Sequence, residues 1–389
     1  MVLFKAPKNA ILRFSHVERE SSVTSPSQTP ALDSSLVLRN SLTTTSDMPQ
    51  WQSAPICKLP IEIIQQIASY LSPPCGASFC LSTRYIYYAV GTQHLSTFLS
   101  FGTSKLENRK NIEVLERAFP SNWYCAWCDK FHAHDQASGP KNCDGETKRD
   151  CNEYSSYLHA GKDYVLTYHH VRLAMNRHLW GLKYGIPISD LSYSAQRTSK
   201  LFKEKVPTNL SISAKIVSGH LLLHSAFTIA LPLAATERKS FYPKLQAALP
   251  QIIFGHRNDN SGHSGLMTSV YQALCKHSKY NIQLCSTCAT DYLVRVHPPS
   301  STPTSTSSSS SPSEHIQLSI QTWRDLGTCR NPFDACWRAH GEIGDSPPGF
   351  GGDIVRLTSY KAGEIREAFE LEVPFKHDSG IIFRPQLEI

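Results

Sequence analysis

The chain has 389 residues, of which 40% are apolar and only 18% charged, with a formal net charge of +7. That length holds one large domain or two ordinary ones with a substantial core. The positive charge is spread without a basic stripe, since even the grouping Arg197 to Lys205 is interrupted by Glu204, which argues against a nucleic-acid-binding module. No run approaches the ~20 apolar residues that span a bilayer, because the longest, Ala226 to Ala235, is broken by Pro232.

No secretory apolar segment is present, so the twelve cysteines are expected in a reducing compartment, cytoplasmic or nuclear. There, paired cysteines point to metal more often than to disulfides. Lys5, Lys8 and Arg13 near the start resemble a mitochondrial presequence in charge alone, for Pro7 and the lack of amphipathic period argue against one.

Residues 1–54 are rich in Ser, Thr and Pro and read as a disordered arm, too polar to bury a core. A helical module follows over 55–102. Pro60 opens a helix in which Ile63, Ile64, Ile67, Ala68 and Leu71 recur at amphipathic spacing, and Ser72-Pro73-Pro74 stops it. A second helix is expected over Ala77 to Val90, and Phe98 and Leu99 close a third.

Residues 103–154 hold a helix and a Cys/His segment: Cys125-x-x-Cys128, His132, His134, Cys143 and Cys151. The two-residue gap aims two thiolates at one ion, and zinc accepts mixed sulfur and nitrogen ligands tetrahedrally. The expected set is Cys125, Cys128, His132 and Cys143, with Cys151 or His134 as substitutes, in a structural zinc site.

Residues 155–389 read as an α+β body with an antiparallel sheet. Tyr164 to Tyr168 is a strand candidate, and a helix runs from about Val171 to Trp180. Strands over Ser211 to Val217 and Leu221 to Ile229 bracket a tight turn at Ser218-Gly219. Strands over Asp291 to Val296 and Ile316 to Trp323 flank a Ser/Thr/Pro run at 298–314. That run is an insertion in one hairpin, because closing a longer surface loop costs little. A last helix spans Gly363 to Leu371 with Ile365, Ala368 and Phe369 on one face. A second Cys-x-x-Cys pair, Cys285 and Cys288, forms a weaker metal candidate with Cys329, with Cys275 and His277 upstream. It could instead meet Cys125 and Cys128 in a four-thiolate site.

No nucleophile elbow, phosphate loop, dinucleotide fingerprint or His-Glu-x-x-His is present. His169, His170 and His178 near Arg172 and Asn176 are the place to look for catalysis, but they read as a helix whose polar residues bond to the sheet. No enzymatic activity is expected.

Leu59, Pro60, Glu62, Ile63, Ile67 and Leu71, then Leu81, Ser82 and Arg84, resemble the F-box. The Tyr85, Ile86, Tyr87, Tyr88 stretch is more aromatic than that family's second helix. The later landmarks are Leu115 to Pro120, Cys125 to His132, Arg172 to His178, Cys285 to Tyr292, Thr322 to Gly327 and Arg330 to Asp334. In that order they resemble a group of filamentous-fungal F-box-like proteins. The resemblance implies a three-helix module that docks the adaptor protein of a cullin–RING ubiquitin ligase through Leu59, Pro60, Ile63, Ile67, Leu71 and Leu81. It also implies a body that presents an unidentified target protein.

Overall fold

The computed structural model describes residues 54–101, 105–126, 129–134, 139–142, 156–201, 204–236, 240–255, 263, 265–276, 281–285, 288–297, 315–330, 335–340, 342–343 and 360–375. The arm expected over 1–54 lies outside them apart from Ala54, as does the insertion at 298–314. The described residues form one unit that begins at Ala54, and no helix among them is long and apolar enough to cross a membrane.

Five helices open this unit: α1 (Ile61–Ser69), α2 (Pro73–Ser82), α3 (Arg84–Val90), α4 (Gln93–Ser100) and α5 (Lys105–Leu115). The single helix expected over Ala77 to Val90 is therefore two, and the module to Ser100 has four helices in place of three. The break is local chemistry. Thr83 takes extended backbone (φ −149°, ψ 156°), and its hydroxyl accepts the Ile86 N–H at 3.1 Å, which ends α2 and caps α3. Pro73 and Pro74, expected to stop α1, also start α2, where a missing N–H costs nothing. Ile64, Ile86 and Ala89 make one small core against Ile56, Leu59, Phe79 and Val90. Ala77, Phe98 and Leu115 make a second, which draws in Phe131.

A two-stranded hairpin follows, β1 (Asn122–Cys125) with β2 (Lys130–Ala133). Then come β3 (Ser156–His159), β4 (Val165–Thr167) and α6 (Tyr168–Trp180). The main sheet is built from β5 (Tyr193–Leu201), β6 (Glu204–Val217), β7 (His220–Pro232), β8 (Gln283–Leu284), β9 (Thr290–His297) and β10 (His315–Asp325). Between β7 and β8 lie α7 (Leu233–Thr236), α8 (Phe241–Ala248), α9 (Gln251–Phe254) and α10 (Leu266–Lys276), and α11 (Ala335–His340), β11 (Glu342–Ile343) and α12 (Glu364–Leu371) close the described chain.

The sheet order is β5-β6-β7-β10-β9-β8 and every pairing is antiparallel, so the α+β class with an antiparallel sheet holds. Ser218 and Gly219 both take positive φ, 52° and 80°, the backbone a two-residue hairpin needs. β9 and β10 are neighbours in register Leu318↔Val296, so residues 298–314 join adjacent strands of one sheet as expected. β5 was not anticipated. Only Leu201 of it is buried, so this edge strand lacks the apolar alternation that marks a strand in sequence.

The two faces of the sheet bury different things. One carries the main core, with Leu173 of α6, Phe241 of α8, Ile252 of α9 and Val270 of α10 against Leu223, Phe227, Leu318 and Ile320. On the other, α12 lays Ile365, Ala368 and Phe369 onto Leu222, Leu293 and Trp323, the apolar face read from the sequence.

Candidate metal centre and apolar docking face

α1 has two apolar sides. Ile64 and Ala68 are fully buried, whereas Ile61 and Ile63 keep 46% and 42% of their surface exposed. Ile67 and Leu71 are half-buried and Tyr70 is 80% exposed. Ile63, Ile67 and Tyr70 thus line one stripe at i, i+4 and i+7, and Pro60 is exposed at its start. Leu59 is half-buried and packs on the module's own core, and Leu81 packs on the second small core. Of the six expected docking residues, Pro60 and Ile63 face outward, while Leu59, Ile67, Leu71 and Leu81 are shared between surface and interior.

Three landmarks separated in sequence meet in one buried ion network. Glu116, fully buried just after α5, accepts the Tyr124 N–H at 3.1 Å and the Asn176 amide at 2.7 Å through Oε1. Its Oε2 accepts from Arg172 Nη2, and Glu113 accepts from both Arg172 and Arg330 at 3.1 Å. Arg330 in turn donates to Asn176 Oδ1 at 3.2 Å. Burial alone would lower the Arg172 guanidinium pKa, but the Glu116 carboxylate outweighs it and raises it. Arg172 and Asn176 of α6 therefore bond both to Glu116 in the preceding segment and to Arg330 in the segment after β10. His170 completes a capping box with Thr167, His169 stacks on Trp123 with ring centroids 5.6 Å apart, and His178 is exposed.

Of the first metal set, Cys125 and His132 are described, and Cys128, Cys143 and Cys151 lie outside the described residues. The register Trp123↔His132 and Cys125↔Lys130 puts Cys125 and His132 on one face of the hairpin as diagonal neighbours. Asp129 closes the turn with φ 54° and accepts from Arg109 at 2.8 Å and Tyr124 at 3.0 Å.

The second pair sits on the connection from β8 to β9, where the Cys285 N–H donates to Thr290 O at 2.9 Å and the Thr290 N–H to Cys288 O at 2.7 Å. There the Cys285 and Cys288 sulfurs and a ring nitrogen of His263 lie within 4.8 Å of one another, all buried. Cys128 lies outside the described residues, and Cys125 is not in this group. Nor is Cys329, the expected third thiolate. It lies on the turn after β10 with φ 51°, its sulfur 3.4 Å from Leu326 O and 3.6 Å from Gly327 O. Cys275 is exposed on α10 beside Tyr242, and His277 lies outside the described residues.

His263 was missed because no fixed spacing ties it to the pair; its one signal is its place among Gly262 and Gly265 before a helix. The His263 N–H donates to Phe254 O at 2.9 Å, its carbonyl accepts the Leu266 N–H at 2.9 Å, and its ring stacks over Tyr292. Nδ1 lies 3.5 Å from the Cys288 sulfur, and Nε2 lies 3.0 Å from Arg324 Nη2. Arg324 is fully buried and bonds to the Ile252 and Gly255 carbonyls and to His340 Nδ1. Burial pushes its guanidinium down to about 10, opposed by Cys288 and Cys285. Burial, and then the Cys285 neighbour, pushes the Cys288 thiol up.

Comparison with protein-family models, with curated proteins and with solved structures finds no match to the chain.

Proposed function

We propose that the chain is an F-box-type adaptor, in which the helices over 55–102 dock the adaptor protein of a cullin–RING ubiquitin ligase and the α+β body holds a target protein. The chain supplies proximity and its partners supply the chemistry. The observation that carries this is the second apolar side of α1, where Ile63 stays 42% exposed beside a fully buried Ile64. A helical unit this small has too little interior to cover both sides, so a partner surface accounts for the other. The Glu116–Arg172 network supports the same role, because it holds the docking stripe at a set position relative to the body. A structural zinc on Cys125, Cys128, His132 and Cys143, with Cys151 as substitute, belongs to this reading, supported by Cys125 and His132 sharing a hairpin face.

Binding of the purified ligase adaptor to the full chain tests the proposal. Wild type binds, and Ile63→Asp abolishes binding while its circular dichroism is unchanged, because Ile63 lies on the exposed side of α1. Wild type that fails to bind the adaptor would leave the rival, an interaction protein with an F-box-like bundle and no ligase role.

A further inference from the structure

The His263, Cys285 and Cys288 cluster calls for an explanation that packing does not provide. Two thiols and an imidazole from separate segments converge in a fully buried place, where isolated polar groups are costly. Beside them is the buried cation Arg324, and among the described residues no carboxylate forms an ion pair with it. Its Nε has no hydrogen-bond partner there either.

We propose that His263, Cys285 and Cys288 bind one zinc ion, as a structural site that ties the segment before α10 to the β8–β9 connection. Two thiolates and one imidazole select a soft ion of the zinc type over magnesium or calcium. Tetrahedral zinc with bonds near 2.3 Å to sulfur and 2.0 Å to nitrogen sets sulfur and nitrogen about 3.6 Å apart. The Cys288 sulfur and His263 Nδ1 are separated by 3.5 Å, close to that value, and all three ligand atoms lie within 4.8 Å of one another. Charge also fits. Zinc replaces the two thiol protons, so the net charge beside Arg324 is unchanged, while two thiolates are placed near a cation that has no carboxylate partner among the described residues.

Zinc binding requires a change at the His263 ring. Arg324 Nη2 has two hydrogens and three acceptors in reach, Ile252 O at 2.7 Å, His263 Nε2 at 3.0 Å and Gly255 O at 3.2 Å. Because a guanidinium only donates, Nε2 accepts from Arg324 and the unbound ring carries its proton on Nδ1. Zinc on Nδ1 displaces that proton, and reprotonation at Nε2 requires Arg324 Nη2 to turn its hydrogens to the carbonyls and draw back from the ring. No fourth His, Cys, Asp or Glu among the described residues joins the group. The site is independent of adaptor docking, and either proposal can fail without the other.

Cobalt(II) titration of the chelator-stripped full chain, followed by visible and near-ultraviolet absorption, tests the site. Cys285→Ser/Cys288→Ser is expected to bind one equivalent fewer than wild type. His263→Gln, which leaves both thiols and Arg324 in place, should bind about tenfold or more weakly at this site with a changed ligand-field spectrum. Cys125→Ser should leave this site's bands intact. Equal stoichiometry in the double variant, or a His263→Gln spectrum and affinity identical to wild type, overturns the proposal. Should the double variant not fold, nitrogen-15 spectra of His263 in wild type decide. Zinc should remove the proton from Nδ1, and a tautomer that ignores zinc sinks the site.

Discussion

Asp291 is a residue on which two opposing effects act. Its two carboxylate oxygens accept the Gly363 N–H at 2.9 Å and the Arg366 N–H at 3.0 Å, capping α12 from a neighbouring strand. Burial acts against the charge and wins over these donors, so the carboxyl is pushed up to about 6. An unfolded aspartate titrates near 3.9. Between about pH 4 and 6 the native state therefore binds the extra proton, and stability falls as pH rises. This contribution is complete below the unfolded pKa and gone above about 6. Denaturant unfolding across this window is expected to show wild type losing about 2 to 3 kcal/mol relative to Asp291→Asn; parallel curves would show that the backbone donors win instead.

At the scale of elements, the break between α2 and α3 determines the shape of the helical module. Ser82 and Arg84 bracket a Thr that leaves the helix and caps the next one. Without it, α2 and α3 would run on as one rod, and Ile86 and Ala89 could not fold back on Ile64. Thr83→Ala should cost about 1 kcal/mol, the usual value of such a cap, read as a lower unfolding midpoint, with Thr83→Ser restoring most of it. The capping chemistry was visible in the sequence, but apolar residues at helical spacing continue straight through it. Period alone therefore reads one helix where there are two. β5 failed for the opposite reason, since an edge strand with little buried surface needs no alternation. The strands around Ser218-Gly219 were legible because both their period and the turn chemistry agree.

For the whole molecule, the deciding feature is how the helical module joins the body. Leu115 packs with Ala77 and Phe98, and the next residue, Glu116, is held by Arg172 and Asn176 of α6. One short segment thus belongs to both cores. Wild type should unfold calorimetrically in a single transition, and Glu116→Gln should lose about 3 to 5 kcal/mol, because it leaves Arg172 buried without full compensation. Two resolved transitions in wild type would show that the module folds apart from the body. The α+β class, the hairpins over Ser211 to Ile229 and Asp291 to Trp323, the last helix and the Cys-x-x-Cys pairs were legible in the sequence alone, because periodicity, turn residues and pair spacing are local. Tertiary structure alone decided that α1 keeps a second apolar side exposed, that Glu116, Arg172 and Arg330 form one network, and that His263, not Cys329, joins Cys285 and Cys288. Each of these depends on which distant segments the sheet brings within a few ångströms, and no spacing along the chain encodes that distance.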